Sequence, residues 1–211
     1  MPRPSFVIFD LDGTLADTGD GILHSFHLTL SDLGRHASDD ELRDLIGPPL
    51  DESFARLGFA DGEIANAVVL YRAYYDREGV DRCSPYDGIE ELLDELRSDS
   101  VVLAVATAKR VDFAVRVLDN LGILDYFQSV SGASLDGSLD TKQGIVSEAL
   151  RLLGEPAPEE GWMVGDRRED ILAARSHSLY PVGALWGYGS RTELVESGAE
   201  LLVATPSEII R

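Results

Sequence analysis

The sequence predicts an α/β fold, a mostly parallel sheet with an all-helical segment inserted near its start. Three observations predict it. Short apolar runs such as FVIF, VVLAVA and WMVG alternate with stretches of helical periodicity through the second half of the chain, the order of a sheet covered on both faces. From residue 17 to about residue 82 apolar residues recur only at helical spacing, with no convincing strand. A length of 211 residues, 44% of them hydrophobic and 27% charged, suits one globular domain with a smaller insert.

In chain order, residues 5–10 (SFVIFD) read as a buried strand running into a tight Asp12-Gly13-Thr14 turn. Helical spacing follows in Ile22, Phe26, Leu30 and Leu33, in Leu42, Leu45 and Ile46, and in Ile64, Val68, Tyr71 and Tyr75. Gly47-Pro48-Pro49 breaks two helices and Gly58 ends another. After Pro85 the pattern predicts a helix from Asp87 or Gly88 to Leu96, a strand over 101–106, a helix over 111–121 and a strand over 129–132. A helix over 141–153, a strand over 162–165 and a helix over about 169–178 come next. A strand over 181–185, a helix near 192–196, a strand over 201–203 and a turn at Pro206 complete it. The expected organisation is a core of residues 1–16 plus 83–211 and a helical cap of residues 17–82.

Charge and composition exclude several classes. The chain has 38 acids against 18 bases, a formal charge of −20. That disfavours a nucleic-acid backbone or an anionic membrane as partner and otherwise serves solubility. The single cysteine, Cys83, leaves no intramolecular disulfide and no multi-cysteine zinc site. No apolar run approaches the ~18 residues of a membrane helix, and the first apolar stretch is too short and too soon acidic for a signal peptide. A cytoplasmic protein, monomer or homodimer, is expected. Only two bases are lysines, Lys109 and Lys142.

In open α/β sheets ligands bind at the carboxyl ends of the strands. Those ends carry Asp10 and Asp12 on the first strand, Thr107, Ala108 and Lys109 on the second, Lys142 at the helix after the third, and Asp166 and Asp170 on the fourth. Each has a plain structural alternative. DxDG is often a turn whose aspartate caps a helix, Thr107 suits a cap, Lys142 a surface, and Asp166 with Asp170 a helix dipole. Together they make a crowd of carboxylates that repel one another unless a cation sits among them. Oxygen ligands without histidine or cysteine suit Mg2+. A phosphate would then be met by metal, ammonium, hydroxyl and amides, and a carboxylate facing phosphorus is a nucleophile.

The strings FDLDGTLADT, VAVATAK, SLDTKQGIV and MVGDRREDILAA resemble the four motifs of the haloacid dehalogenase superfamily, over nearly the whole chain. The closer resemblance is to its phosphoglycolate-phosphatase-like branch, and IGPPLDESF, GASLDGS and WGYGSRTELVESGA are similar to members named phosphatase or 5′-nucleotidase. The resemblance implies a Rossmann-like core with a helical cap and Mg2+-dependent hydrolysis of a small phosphorylated metabolite, a phosphoglycolate or nucleotide monophosphate type. It implies Asp10 as nucleophile forming an aspartyl-phosphate, Asp12 as acid and then base, Thr107 on a phosphoryl oxygen and Lys142 neutralising Asp10. Mg2+ would be held by Asp10, the Asp12 carbonyl and Asp166, with Asp170 supporting directly or through water.

Within that superfamily Asp12 argues against a dehalogenase, which needs no acid at that place. A phosphonate-cleaving relative uses a cap lysine, and the insert has none. A sugar-phosphate mutase shares all four motifs and stays as the alternative; a receiver-like phosphoacceptor would be shorter and lack the insert. Gly13, Ala108, Lys109 and Arg43 are candidate substrate contacts, as are the Gly47-Pro48-Pro49 turn and Arg72. Tyr71, Tyr74 and Tyr75 read as cap core rather than a stacking platform. Lys109 has no carboxylate partner that the sequence names, so Lys109→Arg is expected to cost little on a small ester.

Overall fold

The computed structural model describes residues 3–210. Strand β1 (Phe6–Phe9) leads to the two-residue strand β2 (Ala16–Asp17). Four helices follow, α1 (Gly19–Asp32), α2 (Asp39–Arg43), α3 (Leu50–Arg56) and α4 (Asp61–Tyr74), the last continued by a π-helical turn at Tyr75–Gly79. The chain returns through β3 (Ser84–Pro85) and α5 (Ile89–Ser98), then β4 (Val102–Arg110), α6 (Val111–Asn120) and β5 (Ser129–Ala133). It continues with α7 (Lys142–Leu152), β6 (Gly161–Gly165), α8 (Arg168–Ser176), β7 (Tyr180–Ala184), α9 (Arg191–Ser197) and β8 (Leu201–Val203).

Six strands form one parallel sheet in the order β5-β4-β1-β6-β7-β8, so the sequence-predicted α/β class with a mostly parallel sheet holds. Alternation along β1 builds the two layers. Phe6 and Ile8 pack with Ile145, Val146 and Ala149 of α7 and Ala173 and Ala174 of α8. Val7 and Phe9 face Leu92, Leu93 and Leu96 of α5 and Phe113, Ala114 and Val117 of α6. β1 lies inside the sheet, which leaves its carboxyl end walled by β4 on one side and β6 on the other.

The helical segment packs around aromatic rings. Phe26 lies 4.7 Å from Tyr71 and 5.5 Å from Phe54 between ring centres. Tyr71 and Tyr75 stack nearly parallel, whereas Tyr74 turns outward to donate to Asp32. The sequence showed no strand at either end of this segment, but β2 and β3 pair antiparallel, Ala16 with Pro85 and Asp17 with Ser84. Two residues per strand are too few for any periodicity to mark. β4 also outruns its predicted end at Ala106, with an irregular register between Thr107 and Arg110.

Candidate active site

The carboxyl ends of β1 and β6 and the first turns of α7 and α8 meet in one buried cluster. Asp10 follows β1, Asp166 follows β6, Asp170 lies in the first turn of α8, and Lys142 opens α7 behind its cap Thr141. Lys142 Nζ is 2.7 Å from Asp10 Oδ1, 2.7 Å from Asp170 Oδ1 and 2.9 Å from the Ala106 carbonyl. The buried ammonium thus donates one hydrogen bond, to the Ala106 carbonyl, and pairs by charge with both carboxylates. Carboxylate oxygens of Asp10, Asp166 and Asp170 lie within 4.8 Å of one another. Thr107 sits beside them at 1% exposure, its Oγ1 accepting from the Lys109 N–H.

Asp166 is fixed from two directions. Thr14 Oγ1 donates to Oδ1 at 3.0 Å, and the Tyr188 and Gly189 N–H groups donate to Oδ2 at 2.8 and 3.4 Å. Gly13 has φ +84°, and a Cβ there would come within 2.4 Å of Asp166 Oδ2. Its N–H donates to the Ala16 carbonyl at 2.9 Å. Gly13, expected among the substrate contacts, has its N–H used inside the loop, and its missing side chain makes room for Asp166. Gly187 serves the same packing, since a Cβ would lie 2.4 Å from Asp166 Cβ.

Asp12 stands apart from the three clustered acids. Lys109 Nζ reaches its Oδ2 at 2.8 Å, and Thr18 Oγ1 donates to its Oδ1 at 2.6 Å. Lys109 also lies 4.6 Å from the centre of the Tyr75 ring, a cation–π contact. The expectation that Lys109 has no carboxylate partner is therefore wrong. The irregular backbone after Thr107 keeps Lys109 on the strand, not on a helix, and turns its side chain toward Asp12. Lys109→Arg would disturb Asp12 as well as any substrate.

A cleft of about 280 Å³ opens over these groups. Its floor is Asp10, Asp12, Thr107, Ala108 and Lys109, and its far wall is the helical segment, including Ile46, Pro48, Val68, Tyr71, Arg72 and Tyr75. Arg43 is exposed on α2 and does not line the cleft, which corrects its place among the candidate contacts; the Gly47-Pro48-Pro49 turn just after it does. Tyr71 and Tyr75 combine packing with cleft lining.

Comparison with known proteins follows the same lines. The model of the haloacid dehalogenase-like hydrolase family matches residues 7–182. The chain belongs to this family of hydrolases. It is 40% identical over 208 residues to the protein named tyrosine-protein kinase PtkA of Mycobacterium tuberculosis, covering 98% of this chain and 70% of that one. It is 35% identical to a protein named 5′-nucleotidase of Pseudomonas aeruginosa, covering 89% and 86%. Among solved structures, one described as a predicted phosphatase from Clostridium acetobutylicum superposes with a TM-score of 0.92 at 33% identity, covering 98% and 96%.

Electrostatics in the hydrolase follow from burial. Desolvation pushes Asp166 up to about 8, with Asp170 and Asp10 adding repulsion. Burial likewise raises Asp10, to about 6, against the pull of Lys142. Burial works against the Lys142 ammonium, but Asp10 and Asp170 hold it above its ordinary value. The donor set fits Mg2+: three buried carboxylates, no nitrogen or sulfur ligand, and a net negative charge after Lys142 is counted. Unfolded, Asp166 ionises near 3.8, so between that value and about 8 the folded chain holds a proton that the unfolded chain has lost. The stability carried by that proton is complete below 3.8 and is lost as pH rises through about 8. In EDTA, Asp166→Asn is expected to flatten the fall of Tm with pH over this window. Mg2+ should raise the wild-type Tm more at pH 8 than at pH 6, because protons and metal compete for the same oxygens. An unchanged slope in Asp166→Asn contradicts the assignment.

Several residues that hold the site were not singled out by the sequence. The Thr14, Thr18 and Tyr188 hydroxyls donate to Asp166, Asp12 and Asp17. The WGYG string was the available signal: Trp186 Nε1 donates to the Thr14 carbonyl, and the Tyr188 hydroxyl donates to Asp17 while accepting from the Thr18 N–H. Arg167 joins Glu193 on α9 to the Ile46 carbonyl of the helical segment at 2.6 Å.

Proposed function

We propose that this phosphatase hydrolyses a small phosphomonoester through an aspartyl-phosphate on Asp10, with Mg2+ held by Asp10, Asp166 and Asp170. The observation that carries the reading is Lys142: a buried ammonium shared by Asp10 and Asp170, just behind the cleft floor that Asp10 and Thr107 form. A carboxylate oxygen of Asp10 forms a bond to phosphorus as the bond to the leaving oxygen breaks. Asp12 enters this step as the carboxylic acid, parted from Lys109 and carrying the proton that it gives to that oxygen. It then takes a proton from water, whose oxygen bonds to phosphorus and returns Asp10 as the carboxylate. Bound Mg2+ would offset the repulsion between carboxylates and phosphoryl oxygens. Lys142 and Thr107 hold those oxygens in the same sense. The residues 17–82 act as the cap, facing the leaving group across the cleft.

Phosphate release from p-nitrophenyl phosphate and a panel of phosphomonoesters tests this. Turnover is expected to vanish on chelation and return with Mg2+. Full turnover in EDTA would remove the metal from the mechanism, and no turnover on any ester with Mg2+ present would remove the function.

A further inference from the structure

The face of α4 turned to the cleft carries Val68, Tyr71 and Arg72, and Tyr75 one step on. The spacing i, i+3, i+4, i+7 is one helical stripe. Three of the four members are apolar or aromatic, and one is a guanidinium.

The cations around the cleft differ in how they are occupied. Lys109 holds Asp12, Lys142 holds Asp10 and Asp170, Arg110 grips Asp112 through two nitrogens, and Arg167 holds Glu193 and the Ile46 carbonyl. Among the described residues Arg72 lines the same cleft, half-buried, with no ion pair and no hydrogen bond. Burial and the neighbouring Arg110 both work against its charge, and Asp112, which would offset this, has given both oxygens to Arg110. Asp51 is exposed in the first turn of α3 and makes no ion pair with it. A half-buried charge left unpaired costs free energy that an incoming anion would return.

We infer that Arg72 receives a second anionic group on the leaving part of the substrate, so that the preferred phosphomonoester is one whose alcohol carries a carboxylate or a further phosphate. This rests on the phosphatase reading above. The phosphoryl end belongs at Asp10, Thr107 and Lys142; the body of the alcohol lies against Val68, Tyr71 and Tyr75; the second anion meets the guanidinium fork, which suits two oxygens at once.

Two matched pairs of esters test it. Para-carboxyphenyl phosphate is compared with its neutral isostere para-carbamoylphenyl phosphate, and propanediol bisphosphate with propanediol monophosphate. Each is assayed with wild type, Arg72→Gln and Arg72→Lys, alongside thermal melts. Arg72→Gln is expected to lower kcat/KM on the charged member of one pair by roughly 10- to 100-fold, mainly through KM. The neutral members should change by less than about 3-fold. Arg72→Lys should recover part of the loss, since it keeps the charge without the fork. The pair that shows the selective loss identifies carboxylate or phosphate as the anion. Parallel changes on charged and neutral members, or none beyond about 3-fold on either charged ester, overturn the inference while leaving the phosphatase reading intact. Wild type inactive on all four esters overturns that reading and this one with it.

Discussion

Asp10→Asn is expected to abolish phosphate release, by roughly four orders of magnitude or more. The amide lacks the lone-pair charge that attacks phosphorus, yet it keeps the size and much of the hydrogen bonding of the carboxyl. The substitution also takes one anion away from Lys142, which retains Asp170 at 2.7 Å and the Ala106 carbonyl at 2.9 Å. The buried cluster loses one negative charge, so folding should survive. Phosphate release and a thermal melt on the same preparation check both halves. A folded variant with near wild-type turnover would show that Asp10 is not the nucleophile.

Lys142 carries the second large effect. Its side chain is 6% exposed, and its three contacts converge on a compact ammonium. Arginine keeps the charge but brings a planar, bulkier fork into a space already filled, so Lys142→Arg is expected to lose about 100-fold or more in kcat/KM. Lys142→Met leaves Asp10 and Asp170 buried without their cation. Breaking a buried pair in this way costs about 3–5 kcal/mol, unless the acids take up protons. The melting loss should therefore be smaller at low pH or with Mg2+ present. Near wild-type turnover in Lys142→Arg would mean that a point charge is not required there.

What could be read in the sequence, and what could not, follows from the range of the forces involved. The sheet was legible because burial writes alternation and apolar runs directly into residues such as Val7, Phe9, Val105 and Val164. The strand-end rule brings Asp10, Thr107, Lys142, Asp166 and Asp170 near one another from sequence order alone. The Lys109–Asp12 pair was hidden, because it joins positions 97 residues apart through an irregularity that no local pattern encodes. Arg43 was misplaced for the converse reason. A helix of five residues has no strong periodicity, so the side on which its arginine falls is decided by packing. Tyr188 was part of a string noticed in the sequence, yet its role depends on a phenol meeting Asp17 and Thr18 about 170 residues earlier.

The pairing of Ala16 with Pro85 and Asp17 with Ser84 has a thermodynamic consequence. It ties off the entire helical segment as a single closed loop whose ends are already in register. The entropy of closing such a loop grows only with the logarithm of its length, about 0.6 kcal/mol for each doubling. The sheet is thus nearly indifferent to how much chain hangs between those two points. A shorter or longer insert could be spliced at the same seam with little penalty to the β1-centred core. Substrate choice can then diverge by exchange of one segment while the phosphoryl chemistry stays where the strands end.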